Sequence, residues 1–457
     1  MRTALVNPTV GFARRRSIPV GLAYIIAFLR AHGHVVDGFD FGDSTTAPAD
    51  LVDQYDLHRY PLVGFSTYNE SFFAAIEMAR RIKHLNPKSY VVLGGPQATA
   101  RHDAILRAFP CVDGVIRREG EAPVRALAEA LESGRSLSEV PNLTWRPAAG
   151  EVHANPEIAP LDDLDQLPFP DAEFMGESEY PPLTFYDAQT NDLRPALMIN
   201  TSRSCPYNCS FCGVLTIGRR YRTRTPAGVV DELKHFRVAH DQDYRHVYFS
   251  DANFFVQDRR SLAVAQELHA FDPRITFSFS TRVNQVLRAQ QTLEEMTALG
   301  LRFIELGVES ASPEVLSRLA KGVGPEVNVA AVRMLRRLGI DITLDFIMVD
   351  PETTLPDLEL NLDFLEQNGF LDYYPHEHLY SSLSLYEGTP IRDYYETRRG
   401  QDFPLGRCRR QPSCSRTRRS RSSGESLSPS RRHTSAPSTR CWRRPSSSWL
   451  RSGSDGS

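Results

Sequence analysis

The sequence predicts an α/β protein: a doubly wound parallel sheet of Rossmann-like type, then a partial (β/α) TIM-like barrel, then a tail without a core. Short apolar strands alternate with helices of i, i+3, i+4 apolar spacing over residues 1–135 and again over residues 195–400. A Pro-rich, acidic stretch at 136–194 indicates a linker. Residues 401–457 are Arg, Ser and Pro with almost no apolar periodicity and are predicted to be disordered.

Composition excludes several classes of protein. The net charge of −3 combines +11 on residues 407–457 with −14 on residues 1–406, and the acidic body argues against nucleic-acid binding. No apolar run is long enough to span a bilayer. Met1–Asn7 fits a strand better than a signal peptide, so we expect a cytoplasmic protein with reduced cysteines.

Residues 1–135 alternate strand and helix throughout. Pro19 suits the first turn of a helix that Gly33 ends. The predicted strands are Thr3–Asn7, Val35–Phe41, Leu62–Ser66, Tyr90–Pro96 and Val112–Ile116. The predicted helices are Pro19–Arg30, Ser71–Leu85 and one that begins near Gly120. In the linker, Asn142–Trp145 and Glu151–His153 fit a hairpin.

Small and polar residues follow three of these strands. Ligands of doubly wound sheets bind at the carboxyl ends of the strands, and glycines there let a large, flat ligand approach the backbone. The alternative is that these glycines only make tight turns. The candidate binding residues are Thr67, Gly94, Gly95, Pro96, Gly120 and Glu121.

Residues 195–400 repeat the strand–helix alternation. The predicted strands are Ala196–Asn200, His246–Ser250, Ile275–Ser280, Phe303–Val308, Ile342–Val349 and a last one in His378–Leu385. The predicted helices are Pro226–Val238, Ser261–Phe271, Gln285–Leu299, Pro313–Ala320, Glu326–Leu338 and Leu355–Asn368. Polar residues at the carboxyl ends of barrel strands indicate an active site, although any one of them could instead cap a helix. The strongest candidates are Asp251, Arg282, Glu309 and Ser310.

Three cysteines follow the first barrel strand. Cys205, Cys209 and Cys212 form a C-x3-C-x2-C loop, and thiolates spaced this closely can converge on a soft metal centre. Three ligands leave one metal position open for chemistry. A zinc knuckle or three unrelated thiols are the alternatives, although the loop contains no His.

With an aromatic residue, Phe211, before the last cysteine, this loop resembles the radical S-adenosylmethionine (SAM) superfamily. The resemblance implies a [4Fe–4S] cluster on the three cysteines, SAM on its open iron and reductive cleavage of SAM to a 5′-deoxyadenosyl radical. It also implies SAM contacts for Phe211, Asp251, Arg282, Glu309 and Ser310. Ala252 stands where the family's F-x-D-D-x-F pattern has a second acid, so only Asp251 is retained.

The first domain resembles the cobalamin-binding domain found before many radical SAM barrels. The resemblance rests on the Pro19–Arg30 helix, Val63–Ser66, Val91–Pro96 and Gly120–Glu121. It implies cobalamin on the six residues at the strand ends. The D-x-H-x-x-G motif is missing, which implies that no protein His binds cobalt. A degenerate domain that binds nothing stays open.

Together the resemblances imply a cobalamin-dependent methyltransferase that moves a methyl group from methylcobalamin to an unactivated carbon, or phosphorus, of a small biosynthetic intermediate. An antibiotic pathway and a flavodoxin or ferredoxin electron donor fit this reading. Cyclisation, ring rearrangement or oxidation without methyl transfer, and a non-catalytic iron–sulfur or corrinoid protein, are the alternatives. His376, His378, Tyr380 and Tyr386 lie on the segment expected nearest the substrate. The change of composition near Arg407 favours a shifted reading frame over a metal tract at Cys408, Cys414 and Cys441.

Overall fold

The computed structural model describes residues 1–9, 19–147, 150–176, 184–187, 190–372 and 378–399. All of them belong to one compact unit, Met1–Cys408. The tail predicted for residues 401–457, with its three cysteines, lies outside the described residues, as does His376.

The first sheet has seven strands in the order β2-β1-β3-β4-β5-β6-β7. The first five are parallel, as predicted, and the last two are antiparallel. The strands are β1 Arg2–Asn7, β2 Val35–Asp40, β3 Leu62–Ser66, β4 Tyr90–Gly94, β5 Gly114–Ile116, β6 Leu143–Trp145 and β7 His153–Ala154. The order 2-1-3-4-5 reverses between β1 and β3, which opens a crevice at the carboxyl ends of the strands.

Helices cover both faces of this sheet because its strands are apolar on both sides. Ala4 and Val6 of β1 pack in one core with α2, α3 and α5, whereas Leu5 packs in the opposite core with α1 and α6. The helices of this half are α1 Val20–Ala31, α2 Pro48–Gln54, α3 Phe72–Leu85, α4 Pro96–Ala100, α5 His102–Ala108 and α6 Glu121–Ser133.

Residues 136–194, predicted as a linker, contain more regular structure than a linker. The expected hairpin is present, and it extends the first sheet because β6 pairs with β5. A short helix, α7 (Ala172–Gly176), docks Phe174 under Gly38 of β2, where no Cβ could fit. Asp171 accepts a hydrogen bond of 2.7 Å from Arg30, so this segment is tied to the first sheet.

The second sheet has the order β15-β14-β13-β12-β9-β8. Its strands are β8 Thr184–Asp187, β9 Asp192–Ile199, β12 His246–Phe249, β13 Thr276–Arg282, β14 Leu301–Glu309 and β15 Asp341–Phe346. Strands β9, β12, β13, β14 and β15 are parallel, which confirms the partial barrel. The sheet also extends before residue 195, because β8 pairs antiparallel with β9.

A two-stranded ribbon, β10 (Ser202–Arg203) and β11 (Arg222–Thr223), closes the cysteine loop. The helices of this half are α8 Val214–Ile217, α9 Pro226–Ala239, α10 Asp258–Phe271, α11 Val283–Arg288, α12 Gln290–Ala298, α13 Pro313–Arg318, α14 Pro325–Arg337, α15 Leu355–Gln367 and α16 Pro390–Arg399. Proline at the first turn and a capping side chain start α9, α13 and α15.

Two predicted elements of the barrel are wrong. The helix predicted for Gln285–Leu299 is two helices, because the backbone of Ala289 leaves the helical region between α11 and α12. The strand predicted in His378–Leu385 is a single bridge between Val349 and Ser382. The pairing does not continue to the described neighbours of Ser382, so no strand forms there.

Among the described helices, none combines the length and the apolar character that crossing a bilayer requires.

Gly300, directly before β14, lies in a tightly packed part of the barrel. Its φ is +111°, and a Cβ there would lie 2.5 Å from the carbonyl oxygen of Ile275. We predict that Gly300→Ala lowers the free energy of unfolding by about 3 kcal/mol. Gly339 has a φ of +67° but open space around it, so Gly339→Ala is the control and should cost about 1 kcal/mol. Equal losses in urea unfolding would contradict the role of the close contact.

Candidate functional site

A cavity of about 700 Å³ lies at the carboxyl ends of the first sheet. Its walls come from both halves of the chain. The first half contributes the ends of β3 and β4 and the Gly120–Glu121 turn, and the second half contributes part of the cysteine loop and Tyr386. The crevice predicted by the strand order is therefore roofed by the barrel.

Five of the six predicted cobalamin residues line this cavity. They are Gly94, Gly95, Pro96, Gly120 and Glu121. Thr67 is fully buried and lies outside the described lining. Its Oγ1 donates to the carbonyl oxygen of Gly94 at 2.8 Å, and its own carbonyl oxygen lies 2.6 Å from where a Cβ of Gly95 would stand. Thr67 thus supports the Gly94–Gly95 turn from below.

The cysteine loop runs between β10 and β11. Cys205, Cys209 and Cys212 are free and partly exposed, and Phe211 and Cys212 reach the cavity. Among the described residues, no three His, Cys, Asp or Glu side chains could share one metal ion. The donor set still fits a [4Fe–4S] cluster, because each thiolate of such a cluster binds a different iron.

Arg282 is the last residue of β13 and contacts the cysteine loop directly. Its Nη1 donates to Sγ of Cys209 at 2.7 Å, its guanidinium lies 4.2 Å from the ring centroid of Tyr207, and its Nη2 donates to the carbonyl oxygen of Lys321. These contacts hold the cysteine loop against the end of the barrel strand. Burial raises the pKa values of Cys205 and Cys212, so binding of iron must displace their protons.

Asp251 is buried and shapes the start of the cysteine loop. It accepts hydrogen bonds from the backbone N–H of Thr201 at 3.2 Å, from Oγ1 of Thr201 at 3.0 Å and from Oγ of Ser202. Burial raises the pKa of its carboxyl, opposed by these donors and by Arg260. Asp251 therefore lies behind the loop, outside the described lining of the cavity.

Glu309 is the last residue of β14, and Ser310 follows it. The pairing of β14 with β15 changes register just before Glu309. Gly307 pairs with Asp345 and Glu309 with Phe346, so Val308 is skipped and Glu309 has a φ of +65°. Such a bulge redirects a side chain. Oε1 of Glu309 accepts from Nζ of Lys321 at 2.7 Å, which places this acid beside Arg282. Ser310 is fully buried and donates to Asn361 of α15 at 2.9 Å.

A polar group on the inner face of the barrel includes three residues that the sequence analysis did not propose for the site, Tyr248, Ser280 and Glu305. The hydroxyl of Tyr248 donates to Oε2 of Glu305 at 2.8 Å, and Ser280 also donates to Glu305. Burial, Glu305 and Glu309 together raise the pKa of Asp345 on the next strand. This group could have been found from the period-2 alternation along the strands. Its residues alternate with Val247, Phe249, Phe279, Ile304 and Leu306, which all belong to the hydrophobic core on the outer face of the sheet.

Buried ion pairs join the cysteine loop to the first sheet. Arg203 donates to Glu119 at 2.8 Å and to Glu121 at 2.6 Å, and Arg222 also pairs with Glu119. Burial alone would raise the pKa of Glu121, but Arg203 outweighs burial and holds that pKa below its usual range. Arg203 and Arg222, which pair with each other across the ribbon, are thereby fixed against the Gly120 turn.

Comparisons with known proteins agree with this geometry. The Radical SAM superfamily profile matches residues 199–365, and the B12 binding domain profile matches residues 10–128. An uncharacterised methyltransferase of Pyrococcus horikoshii is 27% identical over 402 residues, covering 86% of this chain and 83% of the relative. An anaerobic magnesium-protoporphyrin IX monomethyl ester cyclase of Rubrivivax gelatinosus is 27% identical over 345 residues, covering 75% of this chain and 60% of the relative.

The fold is also found in a solved structure of a cobalamin-dependent S-adenosylmethionine radical enzyme, OxsB, with aqua-cobalamin and S-adenosylmethionine bound. The TM-score is 0.67 at 20% identity, over 88% of this chain and 62% of that one.

A doubly wound domain before a half-barrel with a three-cysteine loop defines a class of α/β metalloenzyme. Within that class, residues 199–365 are a radical SAM domain and residues 10–128 are a B12-binding domain. It is a radical SAM enzyme whose cofactors are a [4Fe–4S] cluster, SAM and cobalamin.

The ion pairs of Arg203 can be tested by substitution. Arg203→Met leaves Glu121 without its ion-pair partner and Glu119 with Arg222 alone, and we predict a loss of about 3 kcal/mol in the free energy of unfolding. Arg220→Met is the control on the same loop, because Arg220 pairs with Asp162 where both side chains are more than half exposed. It should cost less than about 1 kcal/mol. Equal urea midpoints for the two variants would show that the Arg203 pairs do not hold the loop.

Proposed function

We propose that this chain is a cobalamin-dependent radical SAM methyltransferase that methylates an unactivated carbon, or a phosphorus, of a small biosynthetic intermediate. One observation carries the proposal: Phe211 and Cys212 of the cysteine loop and the Gly94–Pro96 turn of the first sheet line the same cavity. A radical source at the loop and a methyl donor on the sheet must both reach one substrate atom, and a shared cavity meets that need.

In this proposal Cys205, Cys209 and Cys212 hold the cluster, and the loops after β3, β4 and β5 hold cobalamin. When bound, the cluster supplies the electron that cleaves SAM, and cobalamin supplies the methyl group. Arg282 donates to Sγ of Cys209 and positions the loop through its contact with Tyr207. Asp251 and Arg203 fix the two sides of the loop's first turn.

The cavity walls are suited to radical chemistry because they are largely apolar near the sheet. Leu5, Val20, Ile25, Val92 and Ile116 line this part. Such walls exclude water and other hydrogen donors that would consume a radical. Glu309, paired with Lys321, is proposed to face SAM, and the Tyr248–Glu305 group is proposed to contact the substrate inside the barrel.

Names of relatives support methyl transfer without deciding the substrate. The relative from Pyrococcus horikoshii, which covers 86% of this chain and is itself covered over 83% of its length, is named a methyltransferase. The relative named a cyclase keeps ring formation as the second candidate, since the chain resembles it at the same identity. An electron donor such as a flavodoxin or ferredoxin and a cytoplasmic location are parts of the proposal.

The cluster ligands are tested by Cys209→Ala. One of the three thiolates is then missing. We predict that the protein after anaerobic reconstitution lacks the charge-transfer absorbance of an iron–sulfur cluster, at about 400 nm, and cleaves no SAM. Cys111→Ala is the matched control, because Cys111 is buried in the first domain away from the loop. SAM cleavage by Cys209→Ala would refute the cluster assignment.

Methyl transfer is separated from ring formation by the products of SAM. A methyltransferase of this kind uses SAM both as radical source and as methyl source, so the reduced protein with hydroxocobalamin should form S-adenosylhomocysteine beside 5′-deoxyadenosine. A ring-forming enzyme should form 5′-deoxyadenosine alone. Chromatography of an assay with methyl-deuterated SAM measures both. Absence of S-adenosylhomocysteine in protein that retains cobalamin would favour the second candidate.

A further inference from the structure

Two buried amide side chains face the cavity and find no hydrogen-bond partner among the described residues. Asn69 is 5% exposed and Gln97 is 2% exposed. Nδ2 and Oδ1 of Asn69 and Nε2 of Gln97 are all unpaired, and both residues belong to the cavity lining. Buried polar groups are almost always satisfied in folded proteins, so three free atoms at one wall call for a ligand.

The fold brings these two amides together. Asn69 follows β3 and Gln97 lies in the first turn of α4, after β4, so they occupy the carboxyl ends of neighbouring parallel strands. The Gly94–Gly95 turn between them depends on a φ of +91° at Gly95. The N–H of Gln97 then donates to the carbonyl oxygen of Thr67 at 3.3 Å, which connects the two loops.

The unpaired atoms define the chemistry of the partner. Asn69 offers a donor and an acceptor on one planar group, which matches a primary carboxamide in the same plane. Gln97 offers a donor, which matches a carboxamide oxygen. Cobalamin carries primary carboxamides around the edge of its corrin ring, whereas a porphyrin carries carboxylates there. A carboxylate would leave the acceptor of Asn69 facing another acceptor.

We propose that Asn69 and Gln97 bind carboxamides on the edge of the corrin ring and that Asn69 makes the cavity selective for fully amidated corrinoids. This inference rests on the proposed function, in which cobalamin occupies the cavity. It assigns binding to two side chains, and selectivity to one of them, beside the turn residues, whose glycines and proline supply shape and offer no side-chain hydrogen bonds.

Binding and stability together test the inference. The full-length chain without cofactors and its variants Asn69→Leu and Gln97→Met are titrated with hydroxocobalamin, and the thermal midpoint of each is measured without cobalamin. We predict that each variant binds cobalamin about tenfold more weakly, the size of one to two neutral hydrogen bonds. The midpoints should stay equal or rise, because each substitution removes an unpaired buried group. Gln54→Leu, at an exposed residue of α2, is the control.

Selectivity is tested with derivatives of hydroxocobalamin in which one ring amide is hydrolysed to a carboxylate. The wild type should bind at least one of these about tenfold more weakly than cobalamin, and Asn69→Leu should reduce that penalty. Gln97→Met, which removes only a donor, should not reduce it. A penalty unchanged in Asn69→Leu would overturn the inference.

The outcomes separate this inference from the proposed function. If the wild type binds no hydroxocobalamin, the cobalamin assignment fails and this inference fails with it. If the wild type binds cobalamin and both variants bind it equally well, only this inference fails. A fall in thermal midpoint at unchanged affinity would show that the amides serve the fold.

Discussion

Arg203 pairs with two carboxylates of the first domain. It is the last residue of β10, directly before the cysteine loop. Its contacts with Glu119 and Glu121 are buried, and Arg222 across the ribbon repeats the contact with Glu119. Charges in such a place are stable only when they are paired. The position of the cysteine loop therefore depends on the position of the Gly120 turn. The shared cavity depends on both.

The barrel supports the loop from the other side through residues that do not line the cavity. Asp251 accepts three hydrogen bonds from Thr201 and Ser202, and Ser310 is bonded to Asn361. Residues of this kind contribute rigidity, which chemistry at a reactive centre needs. Arg282 and Glu309 form the inner layer, against Cys209 and Lys321. The unpaired amides of Asn69 and Gln97 are the opposite case, since they cost stability in the chain alone.

Much of the fold could be predicted from apolar pattern. The parallel strands of both sheets were found because continuous Val, Leu, Ile and Phe runs are typical of strands buried on both faces. In the linker range the hairpin of β6 and β7 was predicted, but its pairing with β5 and the strand β8 were not, because such short edge strands leave little pattern. The break at Ala289 and the single bridge at Ser382 leave no mark on the apolar periodicity.

The sequence by itself indicated a soft metal centre at the C-x3-C-x2-C loop, and the resemblance of that loop, with Phe211 before its last cysteine, to the radical SAM superfamily indicated the class of chemistry. It also determined the two sheets and the strand ends that carry polar residues. Only the tertiary structure decided which of those residues reach the cavity, because a side chain's direction depends on its neighbours in space. Thr67, Asp251 and Ser310 point into packed surroundings, whereas Asn69 and Gln97, just after the Val63–Ser66 and Val91–Pro96 motifs, face the cavity.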